Sequence, residues 1–388
     1  MKSIRKPFRT PSFVALAVAT ALAGCAATQG AGQSAMNMVK SATGQAQVVR
    51  QDVAPALYQV AYSPSEDVVY AVSAGNPKDP ASGVKSKLFK LDPETLAVKA
   101  EIDLPKPGYG LTLDDEAHRL YIVDTRGGTL MVFDTTSSQV TASLTMPPVL
   151  DAQGKPEKIE YREIIVDKAN NRLYLPAMSY HDSKLQAVNL DTLTVERTIP
   201  GFNFGATGAS LDSAAGKLYV SNLMGQLFVV DIGTLAITDR FEVQGDQLLT
   251  LVMDHDNKRL LAVDEGFDRL NVVRKERGGL DYQPRTQGNQ VLALDPSSGK
   301  VLQNIKVGTQ PVDLLLDAPR NRLYVSNRVS GNISVVDPRT GQEIKTIDLP
   351  THPNSFALNP KTGTVYVTVK LPKEKSMTDK ESVARISF

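Results

Sequence analysis

The chain has 388 residues, of which 41% are hydrophobic and 22% are charged, so it can bury a large core. Its 43 basic and 42 acidic residues give a formal net charge of +1, and without a leader that carries four basic residues the net charge becomes about −3. This balance excludes a strongly basic nucleic-acid-binding protein. The single cysteine, Cys25, excludes an internal disulfide and a cysteine-ligated metal cluster.

The N-terminal segment has the pattern of a secretory signal peptide. Four basic residues come first: Lys2, Arg5, Lys6 and Arg9. The apolar run at 13–22 that follows them is too short for a membrane span. We therefore predict a signal peptide at 1–24.

The residues around Cys25 predict a lipid anchor. Leu-Ala-Gly-Cys at 22–25 resembles the bacterial lipobox, which implies a diacylglycerol thioether on Cys25. Residues 25–45 are poor in charge and rich in Ala, Gln, Gly, Ser and Thr, which predicts a flexible tether. As in lipoproteins generally, Ala26 after the cysteine implies sorting to the periplasmic side of the bacterial outer membrane.

The remaining residues, 46–388, contain seven copies of one strand pattern, in which a hydrophobic residue and usually Tyr precede small or β-branched residues. The copies begin at Val69, Leu120, Leu173, Leu218, Leu260, Leu323 and Val365. Their shortest spacing is 42 residues, which fits a propeller blade of four strands, and the longer spacings imply insertions. The sequence therefore predicts an all-β fold, a seven-bladed β-propeller of four-stranded antiparallel blades, and a monomer.

The most regular copy, 317–350, predicts three strands joined by turns rich in Asp, Pro, Asn and Gly. In six copies the third strand ends in a hydrophobic residue followed by Asp, and we interpret these aspartates as turn-forming residues. They are Asp92, Asp134, Asp191, Asp231, Asp295 and Asp337. The repeated tyrosines are predicted to pack in the core or between blades.

Two parts of the ring depart from the regular repeat, namely its closure and blade five. The seventh copy stops at its third strand, so residues 47–51 are predicted to supply its outer strand and close the ring without a free edge. In blade five, residues 269–273 and 289–294 compete for the third strand, and both assignments stay open. Residues 254–259 resemble the start of a calcium loop, but basic residues occupy a ligand position and the glycine position, which indicates a turn.

The repeat resembles the Tyr-Val-Thr-Asn propeller family through Tyr-Val-Ser-Asn at 219–222 and 324–327. More narrowly, Pro-Thr-His-Pro-Asn-Ser-Phe-Ala-Leu at 350–358, with Tyr-Val-Thr-Val-Lys at 366–370, is similar to the closing blade of YncE-like proteins. The resemblance covers nearly all of the mature chain. It implies a periplasmic seven-bladed propeller that binds single-stranded DNA and has no established enzymatic activity.

Four long insertions predict the functional face of the propeller. Residues 75–86, 265–289 and 370–378 join second to third strands, and residues 146–158 join two blades. Because strands alternate in direction, both kinds of connection lie on one face. Binding residues concentrate on loops that a rigid scaffold holds, so we expect a ligand there.

Residues just before each inner strand are predicted to converge at the channel mouth on this face, with two arginines leaning in from loops. The candidate ligand-binding residues are Tyr109, Arg126, Tyr161, Arg162, Asn203, Phe204, Gln310, Asp313, Arg328, His352 and Asn354. Such rings and guanidiniums can stack on bases and pair with phosphates. They can equally hold a small polar ligand such as a sugar, a quinone or a peptide, or merely fill the channel. No cofactor and no metal is predicted.

The sequence favours a non-catalytic binding propeller, because it has no nucleophile-elbow motif, no phosphate loop and no paired-histidine metal motif. Two alternatives stay open. A lactonase-like hydrolase or quinoprotein-type dehydrogenase would need Glu160, Glu163, Asp313 and His352 to meet at the channel mouth. An outer-membrane assembly scaffold would instead need an envelope protein partner.

Overall fold

Short runs of β-branched and aromatic residues, each ended by a turn, form strands throughout the described part of the chain. The computed structural model describes residues 46–150 and 153–388. The predicted signal peptide, the Cys25 lipidation site and the tether lie outside these residues. Seven antiparallel sheets form a propeller ring, which confirms the predicted fold.

The first four blades follow one another along the chain. Blade one has strands Leu57–Ser63, Val68–Ser73, Lys87–Leu91 and Val98–Asp103. Blade two has Gly110–Asp114, Arg119–Val123, Thr129–Asp134 and Gln139–Thr145. Blade three has a divided inner strand, Glu160–Tyr161 and Ile165–Asp167, followed by Arg172–Met178, Lys184–Asn189 and Val195–Ile199. Blade four has Ala206–Asp212, Lys217–Asn222, Gln226–Asp231 and Ala236–Glu242.

The last three blades complete the ring. Blade five has Leu248–Asp254, Arg259–Asp264, Gln290–Leu294 and Val301–Lys306. Blade six has Pro311–Asp317, Arg322–Asn327, Asn332–Val336 and Glu343–Asp348. Blade seven has His352–Asn359, Thr364–Lys370, Glu381–Ser387 and the N-terminal strand Gln47–Ala54. The helical segments are Pro80–Ser82, Lys168–Asn170, Leu270–Gly278 and Ala318–Arg320.

The N-terminal strand closes the ring as the sequence predicts. Gln47–Ala54 pairs antiparallel with Glu381–Ser387, with Val48 opposite Ile386. Blade seven is therefore built from both ends of the described chain, and its outer edge is covered.

Blade five resolves the choice that the sequence leaves open. Gln290–Leu294 is the third strand, whereas Leu270–Gly278, rich in Arg, Lys and Glu, forms an α-helix (α1). Gly279 ends α1 in the left-handed region at φ 64°, and its N–H bonds to carbonyls of the last turn. Residues 265–289 are thus a folded insertion.

The hydrophobic core lies between adjacent blades rather than inside any one of them. Seven buried clusters within the described residues each combine side chains of two neighbouring blades. The repeated tyrosines Tyr70, Tyr174 and Tyr366 are fully buried in three of these clusters. Packing between blades makes the ring rigid, which lets its loops carry a site.

Most of the predicted turn aspartates accept local backbone hydrogen bonds. Asp92, for example, accepts from the N–H groups of Glu94 and Thr95 at 3.0 and 2.9 Å. Blade three differs, because its third strand ends at Asn189 and Asn189 takes this role in place of Asp191. The side chain of Asp191 instead accepts from Asn171. An amide oxygen serves this turn as well as a carboxylate, so the hydrophobic-Asp pattern misplaces the turn by two residues.

The antiparallel order places the second-to-third-strand loops and the connections between blades on one face, the inserted face. The turns between first and second strands, and between third and fourth strands, lie on the opposite face. Within the described segments no helix combines the length and apolar character needed to cross a bilayer.

Candidate functional site at the channel mouth

The inner strands depart from regular pairing where they enter from the inserted face. In blades one, four, five, six and seven the register shifts at this point. In blade three the inner strand is interrupted between Tyr161 and Ile165. Such bulges change the direction in which a side chain points. Here they allow polar side chains to leave the sheet and line the channel.

Three of these side chains link neighbouring blades. Gln59 Oε1 accepts from the N–H of Leu111 at 2.5 Å. Glu163 Oε2 accepts from the N–H of Ala209 at 3.2 Å, and Asp313 Oδ2 accepts from the N–H of Phe356 at 3.1 Å. In each case a side chain satisfies a backbone group of the next blade, so the channel lining also stabilises the ring.

Glu163 and Asp313 place two carboxyl groups inside the channel without a cationic partner. Burial and, to a smaller extent, the charge of Asp313 together raise the pKa of Glu163 to about 8, against the lowering effect of the N–H of Ala209. Burial likewise raises the pKa of Asp313 to about 7, against the lowering effect of two backbone N–H donors. Both residues are of intermediate exposure overall. The channel therefore changes its charge near neutral pH.

Above the channel, five side chains form what we call the mouth cluster: Tyr58, Tyr109, Arg126, Arg162 and Arg328. The charges of all three arginines lower the pKa of Tyr58, opposing the increase that its burial causes. This mutual influence indicates that side chains from blades one, two, three and six lie close together.

Arg126 and Arg162 share one carboxylate, that of Glu160. Arg162 Nη2 lies 3.0 Å from Glu160 Oε2, and Arg126 Nε lies 3.8 Å from Glu160 Oε1. Burial alone would raise the pKa of Glu160, but the two arginines hold it below its usual value. Both arginine side chains are about half exposed, at 53% and 50%. The pair therefore keeps donor groups and one uncompensated positive charge at the surface.

The two tyrosines form an aromatic wall beside these arginines. Their ring centroids are 4.6 Å apart at an interplanar angle of 71°. Lys370 Nζ lies 4.0 Å from the centroid of Tyr58 and 2.9 Å from Glu381 Oε2. Tyr109 is partly exposed, so an edge or face of its ring is accessible to a ligand.

Arg328, from blade six, is held at the mouth by neutral partners. Its Nη2 donates to Oδ1 of Asn354 at 2.7 Å, while Nδ2 of Asn354 donates to the carbonyl of Tyr58 at 3.1 Å. His352 Nδ1 lies 2.8 Å from the carbonyl of Arg328. Because a carbonyl only accepts, Nδ1 of His352 is the donor in this contact.

Gln310 and Glu265 continue the rim in blades five and six. Gln310 Nε2 donates to Glu265 Oε1 at 3.2 Å. Burial raises the pKa of Glu265, and the charges of Arg328 and Arg162 act against this increase. Burial lowers the pKa of Arg328, and the nearby Arg162 lowers it further. Arg162 and Arg328 therefore repel each other. The raised pKa of Glu265 makes its carboxyl a weaker counter-charge to them.

Three predicted residues lie away from the mouth: Tyr161, Asn203 and Phe204. Tyr161 is 2% exposed in the core between blades two and three, where its hydroxyl donates to Gln186. Glu160 and Tyr161 are successive strand residues and face opposite ways, so Glu160 meets the mouth arginines and Tyr161 does not, while Arg162 lies in the break that follows. Asn203 has a left-handed φ of 58° and donates to Gln226.

Phe204 is 2% exposed because the blade-five insertion covers it. It belongs to a buried cluster with Leu223 and Leu270 of α1, and its ring lies 5.9 Å from that of Tyr180. The burial of Phe204 depends on how residues 265–289 fold. The sequence around Phe204 gives no signal of that fold.

The residues required by the enzyme hypothesis are each engaged separately. Glu160 binds arginines, Glu163 and Asp313 accept backbone N–H groups, and His352 contacts a carbonyl. Among the residues that the structure describes, no group of three or more His, Cys, Asp or Glu side chains is arranged to hold a metal ion.

Comparisons with known proteins point to one group of relatives. The chain is similar to YncE proteins. It is 27% identical over 294 residues to uncharacterized protein YncE of Salmonella typhimurium, covering 74% of this chain and 75% of the relative. It is 26% identical over 307 residues to uncharacterized protein YncE of Escherichia coli strain K12, covering 72% of this chain and 85% of the relative. No family model matches the chain.

Sequence reasoning missed Tyr58, Glu265 and Lys370 as parts of the mouth. Tyr58 occupies the same repeat position as Tyr109 and Arg162, three residues before the residue that pairs with the repeated tyrosine of the second strand. An alignment of the inner strands would have found it. Glu265 and Lys370 stand at the ends of second strands, where nothing in the repeat distinguishes them from structural residues.

Proposed function

We propose that this chain is a non-catalytic propeller whose channel mouth binds a ligand that combines negative charge with aromatic bases, namely single-stranded DNA. The observation that carries the proposal is the sharing of one carboxylate, Glu160, by Arg126 and Arg162 beside the partly exposed ring of Tyr109. A phosphate would supply the missing negative charge, and a base would stack on the aromatic wall.

The electrostatics of the rim support an anionic ligand. Arg328 donates to the neutral Asn354, and the raised pKa of Glu265 reduces the negative charge available to it. Bringing three guanidiniums together without equal counter-charge is unfavourable in the free protein, and a bound phosphate would relieve their repulsion. The similarity to YncE proteins supports DNA as the ligand, because the resemblance implies a propeller that binds single-stranded DNA.

The side chains of the mouth cluster favour a flexible single strand over a duplex as the ligand. The mouth cluster combines aromatic rings with half-exposed guanidiniums, which is how single strands are held without sequence preference. A formal net charge near zero predicts that this attraction is local to the mouth rather than spread over the surface.

Fluorescence anisotropy with a labelled oligothymidylate of about 12 nucleotides tests the proposal. We expect Arg162→Gln to weaken binding by about tenfold and Tyr109→Ala to cost about 1 to 3 kcal/mol. Arg339→Gln is the matched control, because Arg339 is an exposed arginine on the opposite face. Equal binding by all three variants, or no binding by the wild-type protein, would refute the DNA proposal.

The proposed location is the periplasmic side of the outer membrane, with the propeller tethered through Cys25. The support is the Leu-Ala-Gly-Cys run at 22–25 and the charge-poor stretch that follows it. Fractionation of cells expressing wild-type protein and Cys25→Ser tests this. The wild type should sediment with outer membranes and carry an acylated N-terminus, while the variant should not. Equal distribution of both proteins would overturn the anchor.

A further inference from the structure

A second concave site lies on the inserted face, apart from the channel mouth. It forms where the connection between blades two and three meets the second-to-third-strand loop of blade three. Its cavity has a volume of about 180 Å³ and is lined by Pro156, Glu157, Lys158, Ser179, Tyr180 and His181. Neither the mouth cluster nor the proposed DNA contacts use these residues.

The site contains a buried carboxylate that lacks a complete set of partners. The side chain of Glu157 is only 7% exposed, and its Oε2 has no hydrogen-bond partner. Its other oxygen, Oε1, lies 3.4 Å from Nδ1 of His181. Buried carboxylate oxygens are normally partnered, so the unpartnered Oε2 indicates that this carboxylate can accept a further ligand.

Backbone hydrogen bonds hold the segments that carry the Glu157 carboxylate and the His181 imidazole. The N–H of Glu157 donates to the carbonyl of Val149 at 2.7 Å. The N–H of His181 donates to Ser179 Oγ at 3.0 Å, and the N–H of Ser179 donates to Ser183 Oγ at 3.0 Å. These bonds order the two backbone segments from which the carboxylate and the imidazole extend.

The separation of the two donor atoms fits a shared metal ion better than a direct hydrogen bond. An N–H···O hydrogen bond usually spans about 2.7 to 3.2 Å. A tetrahedral zinc ion with ordinary Zn–N and Zn–O bonds would hold its two ligand atoms about 3.4 Å apart, the distance seen between Nδ1 of His181 and Oε1 of Glu157.

We propose that Glu157 and His181 bind a divalent transition-metal ion, with Zn²⁺ as the representative, and that water or an exogenous ligand completes its coordination. The imidazole is 66% exposed, so an ion can reach it from solvent. Lys158 is the one cationic side chain in the cavity lining, and its charge acts on the neighbouring Glu160. With only two protein ligands and a nearby lysine, binding is reversible and weaker than at a three-ligand site.

Isothermal titration of tag-free full-length protein with ZnCl₂ tests this site. A Cys25→Ser background removes the single cysteine of the chain, so that no unacylated thiol in the preparation competes for the ion. We expect one saturable site per chain in that background. Glu157→Gln and His181→Gln should each weaken it at least about tenfold. His255→Gln, which removes an exposed histidine in a turn of the opposite face, should leave it unchanged.

Cu²⁺ electron paramagnetic resonance gives a second readout that does not depend on affinity alone. Nitrogen hyperfine coupling from one imidazole should be present in the wild type and in His255→Gln and lost in His181→Gln. Thermal unfolding of each variant shows whether it is folded, and Glu157→Asp keeps the carboxylate if Glu157→Gln is unstable. Absence of saturable binding, or binding unaffected by both the Glu157 and His181 changes, would overturn the proposal.

Discussion

Asn354 joins Arg328 of blade six to the inner strand of blade one. Its Oδ1 accepts from Arg328 Nη2 at 2.7 Å, and its Nδ2 donates to the carbonyl of Tyr58 at 3.1 Å. One amide therefore orients a mouth arginine and bridges the junction at which the ring closes. The histidine two residues earlier, His352, fixes the carbonyl of the same arginine.

This bridge predicts different effects for two substitutions of Asn354. Asn354→Ala removes both hydrogen bonds and should lower the free energy of unfolding by about 1 to 2 kcal/mol. Asn354→Asp keeps an acceptor for Arg328, so it should lose less stability and should retain the arginine in place. Urea unfolding of both variants measures the difference. A larger loss for Asn354→Asp than for Asn354→Ala would contradict this account of the bridge.

The blade-five insertion depends on Arg274, whose side chain is fully buried. Its guanidinium bonds to both oxygens of Asp246 at 3.2 Å and stacks 4.1 Å from the ring centroid of Tyr282. Arg274→Met would leave Asp246, itself 1% exposed, buried without its counter-charge. The expected cost is about 3 to 5 kcal/mol.

Arg277→Met provides the matched control for Arg274→Met, because it removes an exposed arginine of the same helix. Its loss should be below about 1 kcal/mol. Chemical denaturation gives the two free energies, and hydrogen exchange over 265–289 shows whether the insertion opens separately from the ring. Similar losses for both variants would show that the buried ion pair does not hold the insertion.

The channel carboxyls predict that stability falls as pH rises. The folded-state pKa values of Glu163 and Asp313 are raised to about 8 and about 7, so the folded protein retains protons that the unfolded chain has released. Their contribution is therefore fully present below about pH 4 and is lost progressively up to about pH 8.

Glu163→Gln tests this pH dependence, because glutamine can still accept the N–H of Ala209 but cannot ionise. The variant should be more stable than wild type at pH 8 by more than about 1 kcal/mol and nearly equal to it at pH 5. Glu374→Gln, at an exposed loop position, should follow wild type at both values. If the Glu163→Gln and wild-type curves stay parallel across this range, Glu163 does not titrate as described.

The fold was predictable from the sequence because each blade repeats the same local signals. Strand and turn residues recur in each copy, a buried tyrosine recurs in every copy except that of blade five, and the missing outer strand of the last copy identified residues 47–51 as its replacement. In blade three Asn189 takes the role predicted for Asp191, so the turn lies two residues earlier than predicted.

The site was less predictable because it depends on contacts between distant segments. Arg126, Arg162 and Arg328 could be placed from loop positions alone, and the structure brings them together. The burial of Phe204 depends on α1, some 70 residues later, and the orientation of Tyr161 depends on the break in one short strand. The first of these facts is not encoded near the residue concerned.

The salt dependence of oligonucleotide binding tests the central claim most directly. Affinity for the labelled oligothymidylate should fall steeply between about 50 and 200 mM salt, and each phosphate contact should contribute about 0.7 to the logarithmic slope. The double variant Arg162→Gln, Arg328→Gln should therefore bind more weakly and lose about 1.4 of that slope, while Arg339→Gln should keep both. An unchanged slope in the double variant, or a salt-independent affinity in the wild type, would contradict a phosphate-binding channel mouth.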